Sequence, residues 1–446
     1  MKVVGIISLG CCKNLTDSEN ILGVLKSENV VFSSQINKCD LIIINTCGFI
    51  ESAKQEAMDT INECYQKKKK DAKMLVCGCF AKRYKERLEK EFKDKVDAIV
   101  AINEYENINY VISELLNVNL TRKFNNIDKL YLTDSNFAYV KIGEGCKNNC
   151  SYCAIPLIRG TLVSYKKESI LSQVENAVSV GRKEIVLIAQ DTTAYGFDLY
   201  DDYRIHNLIE DVLKIKDVSN VRLLYLYPDE VSDELIELFS REKRLIPYFD
   251  LPLQHINNRL LKDMNRRGSK EEIIELITKI RNKVENVVIR TTFIVGYPTE
   301  TEEEFNELLT FIQEYPFDLL GAFTYSKEEN TKAYDKEQVD EDVKQKRLEI
   351  LMKKQEEISL ELNKKRIGQI YDVRVGIYNP IKKIYRGFSY MSAPDNIDGY
   401  VYFTSNEKLE RNSVVKVKIT DATSHDLYGE TLLLIICILY NIIFIR

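Results

Sequence analysis

The chain has 446 residues, enough for two or three domains, and is 45% hydrophobic and 29% charged, which excludes a disordered or fibrous protein. Its net charge of −5 excludes a general electrostatic grip on nucleic acid. Eleven Cys are too sparse for a disulfide scaffold, and the N-terminal apolar run is too short for a signal peptide, so the chain reads as a cytoplasmic enzyme. Apolar runs at 2–8, 41–45, 74–77 and 98–101 predict buried strands, and 14–27, 50–66, 82–92 and 108–116 predict helices. That alternation implies an N-terminal α/β domain over 1–125, a parallel sheet with helices on its faces. Residues 117–135 are polar and Asn-rich and read as a linker. A second βα series occupies 132–365, with strands predicted at 137–142, 184–189, 221–226, 248–253, 287–295 and 319–324, and helices at 270–284 and 302–314 among others. Six βα units predict a (β/α)6 partial TIM barrel with its site at the C-terminal strand ends. Residues 337–365 read as a long charged helix. Four β runs within 367–430, at 371–377, 384–390, 399–403 and 414–419, predict a small β-barrel. The last segment, 431–446, holds about 14 mostly apolar residues, short of the ~20 that span a bilayer, so no stable membrane association is expected. It reads as an added or misread terminus.

The chemistry concentrates in Cys. Cys146, Cys150 and Cys153 lie in Gly-Cys-Lys-Asn-Asn-Cys-Ser-Tyr-Cys (145–153), directly after the predicted strand 137–142, and the next Cys is Cys437. A structural metal site normally closes with four protein ligands. Three thiols therefore leave two readings: a zinc knuckle completed by a distant ligand, or a four-iron cluster with one iron open for catalysis. Cys11, Cys47 and Cys79 each end a predicted strand. In a parallel sheet such positions face one crevice, so three thiols far apart in sequence converge there. The alternative is chance burial of an often-buried residue. Cys12, Cys39, Cys64 and Cys77 read as structural, although Cys77 lies two residues from Cys79 and shares its strand face.

The loop triplet resembles that of the radical S-adenosylmethionine enzymes, and the two triplets together resemble the methylthiotransferases, from about residue 3 to 429. The resemblance implies a 4Fe–4S cluster on Cys146, Cys150 and Cys153, whose open iron chelates S-adenosylmethionine for one-electron cleavage to a 5′-deoxyadenosyl radical. It implies a second 4Fe–4S cluster on Cys11, Cys47 and Cys79 that carries the sulfur to be inserted, and a C-terminal barrel of the TRAM type over 367–430. Tyr152 occupies the aromatic position where family members contact the adenine. Gln190 and Asp191, at a strand end, and Arg159 and Arg290, as carboxylate forks, are further candidates to meet cofactor or substrate.

Within the family, some enzymes modify tRNA adenosine and one modifies a ribosomal protein. The segments 138–146, 154–160, 187–196, 225–230, 250–255 and 321–326 resemble the latter, with Ala-Gln-Asp-Thr (189–192) where tRNA enzymes typically read Gly-Gln-Asn-Val. Residues 367–430 hold eight Lys/Arg and eight Asp/Glu, and this neutrality suits a protein partner better than tRNA. The implied reaction places a methylthio group on the β-carbon of an aspartate in the twelfth small-subunit ribosomal protein. That C–H bond is unactivated, so acid–base catalysis will not break it and a carbon radical will. A flavodoxin- or ferredoxin-like electron donor is implied; the sequence does not name the sulfur donor. The competing readings are a tRNA adenosine methylthiotransferase and a non-catalytic two-cluster electron-transfer or scaffold protein. One departure stands out: family members usually read Gly-[Phe/Tyr]-Pro-Gly-Glu-Thr where this chain has Gly296-Tyr297-Pro298-Thr299-Glu300-Thr301. A turn needing φ > 0 at Thr299 would be strained.

Overall fold

The computed structural model describes residues 1–26, 29–133, 136–394 and 397–432. The predicted helix end at Ser27, the linker end at Asp134 and Ser135, Cys437 and most of the apolar tail lie outside these. The chain divides into two compact units, Met1–Met352 and Lys353–Arg446. Among the described residues no helix is long and apolar enough to cross a membrane.

The first unit begins with β1 (Lys2–Ser8), β2 (Val30–Phe32), β3 (Leu41–Thr46), β4 (Lys73–Gly78) and β5 (Ala98–Ala101). They form one sheet in the order β2-β1-β3-β4-β5, with every pairing parallel. Helices α1 (Cys12–Val24), α2 (Glu51–Lys67), α3 (Cys79–Arg83), α4 (Lys85–Glu91) and α5 (Ile108–Leu116) connect and cover the strands. One core packs Ile21, Leu22, Ile108 and Ile112 against Val4, Ile43 and Leu75; the other packs Ala57, Ile61, Phe80 and Leu88 against Ile42, Ile44 and Val76. Alternate residues of each strand thus go to opposite faces, as the pleat requires.

Four differences from the predicted elements have local causes. Strand β2, three residues at the sheet edge, is too short to give a periodic signal. The helix predicted at 82–92 breaks where Tyr84 leaves helical geometry (φ −133°, ψ 39°). The strand predicted at 221–226 stops at Leu223 because the backbone turns left-handed at Tyr225 (φ +73°). The polar stretch 117–135 contains no helix or strand among its described residues, yet it packs down. Leu120 is buried, Leu130 N–H donates to Glu19 O (3.0 Å), and Asn126 accepts from Asn20 (2.7 Å).

The rest of the unit carries β6 (Phe137–Lys141), β7 (Gly143–Glu144), β8 (Val163–Ser164), β9 (Glu184–Ile188), β10 (Asn220–Leu223), β11 (Tyr248–Gln254), β12 (Val288–Val295) and β13 (Leu319–Thr324). Two parallel three-stranded sheets form, β10-β9-β6 and β11-β12-β13. A parallel bridge between Val221 and Leu245, with a Leu226 N–H bond to Asp250 O (2.8 Å), joins them. The six long strands therefore follow one another in chain order around a partial barrel. Every residue of β6 and β9 is buried, as expected of parallel strands covered on both faces.

A helix, Glu341–Lys364, leads into the second unit. There β14 (Ile370–Asn379), β15 (Ile384–Phe388), β16 (Val401–Thr404), β17 (Val414–Ala422) and β18 (Leu427–Thr431) close a barrel in the order β14-β15-β16-β18-β17. Strand β18 was not among the predicted runs, although it is what closes the barrel. Gly429 in its middle interrupts the β-forming pattern, and a side chain there would lie 2.4 Å from Lys418 O.

Candidate active site

Three parallel strands that are neighbours in the first sheet, β1, β3 and β4, end in Cys11, Cys47 and Cys79. Cys11 caps α1, Cys47 follows β3, and Cys79 opens α3. The thiols are close enough to influence each other's ionisation: Cys79 feels both Cys11 and Cys47. Asn14 ties the strand ends together. Its Nδ2 donates to Leu9 O (3.1 Å) and Thr46 O (3.0 Å), and its Oδ1 accepts from the Cys79 thiol (3.2 Å). Gly78, at φ +101°, turns the chain between Cys77 and Cys79; a Cβ there would lie 2.4 Å from Asn45 Oδ1 and Thr46 O. That turn ends the strand alternation, so Cys77 falls into the sheet core while Cys79 packs with Ala154 and Ile158.

The loop triplet follows β6 and the short β7 and precedes α6 (Ile155–Arg159). The loop is anchored by Cys146 N–H to Gly160 O (3.2 Å), Ser151 N–H to Met264 O (2.9 Å) and Ser151 Oγ to Asp263 O (2.9 Å). Gly145, at φ +69°, lies so close to Thr161 O that a Cβ would come within 2.0 Å. Backbone N–H groups of Asn148 and Ile155 point at Cys146 Sγ (3.4 Å) and Cys153 Sγ (3.5 Å), and Arg266 Nη1 lies 4.0 Å from Cys150 Sγ. Asn148 is held from both sides, by Asp191 Oδ2 (2.6 Å) and Arg267 (2.8 Å). Burial pushes the Cys146 thiol up to about 11, and Cys153 and Cys79 up to about 12. Thiols that hold their protons this firmly release them to a bound metal, which couples loading to proton release. For Cys11 burial also opposes ionisation, but Lys13, Arg159 and nearby backbone N–H groups outweigh it and lower the pKa.

Side chains flanking the loop triplet reach the strand-end set inside the first unit. Arg159, at the end of α6, donates to Glu144 Oε1 and Oε2 (2.9 Å each), Asp17 Oδ2 (3.0 Å), Asn14 Oδ1 (2.7 Å) and Cys79 Sγ (3.6 Å). Lys141 bridges Asp17 and Glu144. Four charges of balanced sign, three of them buried and Glu144 partly exposed, are thus gathered beside the thiol sets, an arrangement stable only when every partner is present.

The other expected site residues lie as follows. The carboxylates that Arg159 holds belong to the protein. Gln190 Nε2 approaches Glu144 Oε2 (3.5 Å), while its Oε1 is buried without a protein partner. Tyr152 packs with Leu260, Met264, Tyr297 and Tyr325. Arg290 stands in β12 in register with Asp250 and Leu319. Residues not anticipated from the sequence include Asn14, Asp17, Lys141, Glu144, Tyr227 and Arg266. The available signal was α1 itself: its run Lys-Asn-Leu-Thr-Asp-Ser-Glu-Asn (13–20) lacks an apolar stripe, yet all but Leu15 are buried.

The donor chemistry suits iron–sulfur clusters. Each set offers three thiols, and sulfur-directed N–H groups of the kind that tune such clusters face the loop set. Among the described residues no three His, Cys, Asp or Glu close around a single ion; a four-iron cluster spaces its thiolates more widely than one ion does.

Comparison with known proteins adds the family. Residues 140–312 match the radical SAM superfamily, 3–101 the uncharacterized protein family UPF0004, and 367–432 the TRAM domain. The chain is 44% identical over 433 residues to the ribosomal protein uS12 methylthiotransferase RimO of Alkaliphilus oremlandii, covering 96% of this chain and 98% of that one. It is 43% identical over 445 residues to RimO of Clostridioides difficile, covering 97% and 99%. In fold it is similar to the radical S-adenosylmethionine methyltransferase TsrM of Kitasatospora setae, with a TM-score of 0.55, 11% identity, and coverage of 83% and 80%. The chain therefore belongs to the RimO family of radical S-adenosylmethionine methylthiotransferases.

Proposed function

We propose that this chain inserts a methylthio group at the β-carbon of an aspartate in ribosomal protein uS12, with one 4Fe–4S cluster on Cys146, Cys150 and Cys153 and a second on Cys11, Cys47 and Cys79. The observation that carries this reading is the contact between the strand-end set and the segment that follows the loop set: Cys79 packs on Ala154, the residue after Cys153, and Arg159 reaches from α6 to Cys79. When bound, the clusters supply an electron for cleavage of S-adenosylmethionine at the loop set and a sulfur carrier at the strand-end set. The chain's own residues then do the positioning. Asn14 and Gly78 fix the strand-end thiols, Asn148 and Ser151 fix the loop, and Arg159 with Asp17, Glu144 and Lys141 fixes one set against the other. Gln190 Oε1, buried and without a protein partner, is an acceptor for a donor on S-adenosylmethionine. The balanced charge of residues 367–430 favours a protein over tRNA as the target. A flavodoxin- or ferredoxin-like protein is the expected reductant.

The test is anaerobic incubation of the reconstituted enzyme with S-adenosylmethionine, reductant and either uS12 or bulk tRNA, followed by mass spectrometry. A methylthio mass increase on a uS12 aspartate is expected. Modification of tRNA alone would sink the reading, and absence of 5′-deoxyadenosine would favour a non-catalytic protein.

A further inference from the structure

We propose that Lys13 receives the side-chain carboxylate of the target aspartate, and that Tyr225 holds the lysine in place to do so. The inference rests on the function proposed above and names the group that selects an acidic side chain.

Lys13 lies in the first turn of α1, two residues after Cys11, and is only 7% exposed. Its ammonium sits over the Tyr225 ring, 2.9 Å from the centroid. Among the described residues no carboxylate pairs with it and no acceptor takes its protons. A ring face offsets only part of the cost of removing an ammonium from water.

The charges around it sharpen the point. Asp17 and Glu144 are committed to Lys141 and Arg159, two carboxylates against two cations. Asp250 accepts the Tyr225 N–H (3.0 Å). Lys13 faces the Cys11 thiol, whose ionisation it favours, but among the described residues it has no carboxylate partner, and an incoming carboxylate would take that place.

Tyr225 is held in a conformation that L-residues seldom adopt, φ +73°. Besides the Asp250 bond, its carbonyl accepts from Thr192 N–H (2.9 Å). Strain of this kind persists only where the surroundings enforce it, and it collects at functional sites. Here it turns the ring under Lys13 and brings the hydroxyl to Cys12 Sγ (3.4 Å). Two residues on, the Tyr227 hydroxyl lies 4.0 Å from Cys150 Sγ. The chain leaving β10 thus touches Cys12 and Lys13, next to Cys11 of the strand-end set, through one tyrosine and Cys150 of the loop set through the next. The target β-carbon must be reachable from both sets, since it loses hydrogen on one side and gains sulfur from the other. An aspartate β-carbon is one bond from its carboxylate, so an ammonium without a carboxylate partner at this junction is placed to orient it.

The test compares reconstituted full-length wild type, Lys13→Met and Lys13→Arg. Equilibrium binding is measured to uS12 carrying aspartate or asparagine at the target position, alongside iron and sulfide content and the electron paramagnetic resonance spectrum. Wild type is expected to prefer the aspartate form by roughly ten-fold or more. Lys13→Met should lose that preference with iron content unchanged, and Lys13→Arg should keep part of it. A Lys13→Met enzyme that retains the preference overturns the assignment. So does one whose iron content or spectrum changes while the aspartate-to-asparagine ratio does not, which would make Lys13 a counter-charge to the thiols only. Wild type that binds neither form overturns the proposed function and this assignment together, whereas wild type that modifies uS12 leaves the function standing whatever Lys13 does.

Discussion

The two cysteine triplets reach similar ends by opposite routes. Cys146, Cys150 and Cys153 fall within eight consecutive residues, and a loop pinned at Gly145, Ser151 and Gly160 suffices to gather them. Cys11, Cys47 and Cys79 are scattered over the first 79 residues and converge only because β1, β3 and β4 are parallel neighbours. The first set is a local property of the chain and the second a property of the sheet. The two should therefore fail independently, except where one side chain serves both.

The largest effects follow from removing each set. Cys146, Cys150 and Cys153 all replaced by Ala should cost about half the iron and abolish 5′-deoxyadenosine formation. The reciprocal replacement of Cys11, Cys47 and Cys79 should cost a similar share of iron, keep 5′-deoxyadenosine formation and abolish methylthio transfer. Iron and sulfide analysis with product mass spectrometry reads both. If either triple variant lost all its iron, the independence of the sets would be refuted.

Arg159 is where independence should end. Its side chain is 2% exposed and its guanidinium is shared among Glu144, Asp17, Asn14 and Cys79. Arg159→Met leaves two carboxylates facing Lys141 alone, a loss of about 3–5 kcal/mol for a broken buried pair. Urea unfolding should show that loss, and methylthio transfer should fall more than 5′-deoxyadenosine formation does. Equal falls in both activities would mean that Arg159 acts only on stability.

Two glycines separate the sets more finely. Gly78→Ala places a Cβ 2.4 Å from Thr46 O and Asn45 Oδ1, at a φ of +101°. It should destabilise by about 3 kcal/mol and deplete the strand-end iron first. Gly145→Ala, with Thr161 O at 2.0 Å, should do the same to the loop iron. Spectra of the two variants with the same set depleted would break the distinction.

The same contrast explains what the sequence made legible. The loop motif reads directly, because a short spacing needs no knowledge of topology. The strand-end set was readable only through the βα alternation, and Cys77 stayed ambiguous because nothing in a one-dimensional pattern marks the turn at Gly78. The polar contacts were hidden for another reason. Asn14, Asp17 and Lys141 look like surface residues in a composition argument, and their burial depends on a second βα series packing against α1. Tyr225 was quoted only as part of a family-like segment, since a positive φ at a tyrosine has no sequence signature. The second unit was readable as β structure, but short β18 with its central glycine was lost.

The smallest expected effect lies at a third left-handed turn in the same unit, one where glycine is not supplied. Thr299 adopts φ +68°, so the turn does require the conformation that Thr resists. Its neighbours compensate: Arg259 donates to Thr299 O (2.9 Å) and Oγ1 (3.1 Å), and the same guanidinium pairs with Glu304. At Gly78 and Gly145 a Cβ would strike backbone or a buried amide, whereas at Thr299 the side chain has an exposed partner. The strain there is conformational rather than steric. Thr299→Gly should relieve a left-handed penalty of about 1–2 kcal/mol and give back part of it in chain entropy and one exposed hydrogen bond. The net is a stabilisation of up to about 1 kcal/mol, or a rise of up to about 1–2 °C in Tm for a unit of this size, with the iron of both sets unchanged. A fall in Tm would mean that the Arg259 bonds outweigh the strain, and a change in iron would mean that this turn, too, belongs to one of the thiol sets.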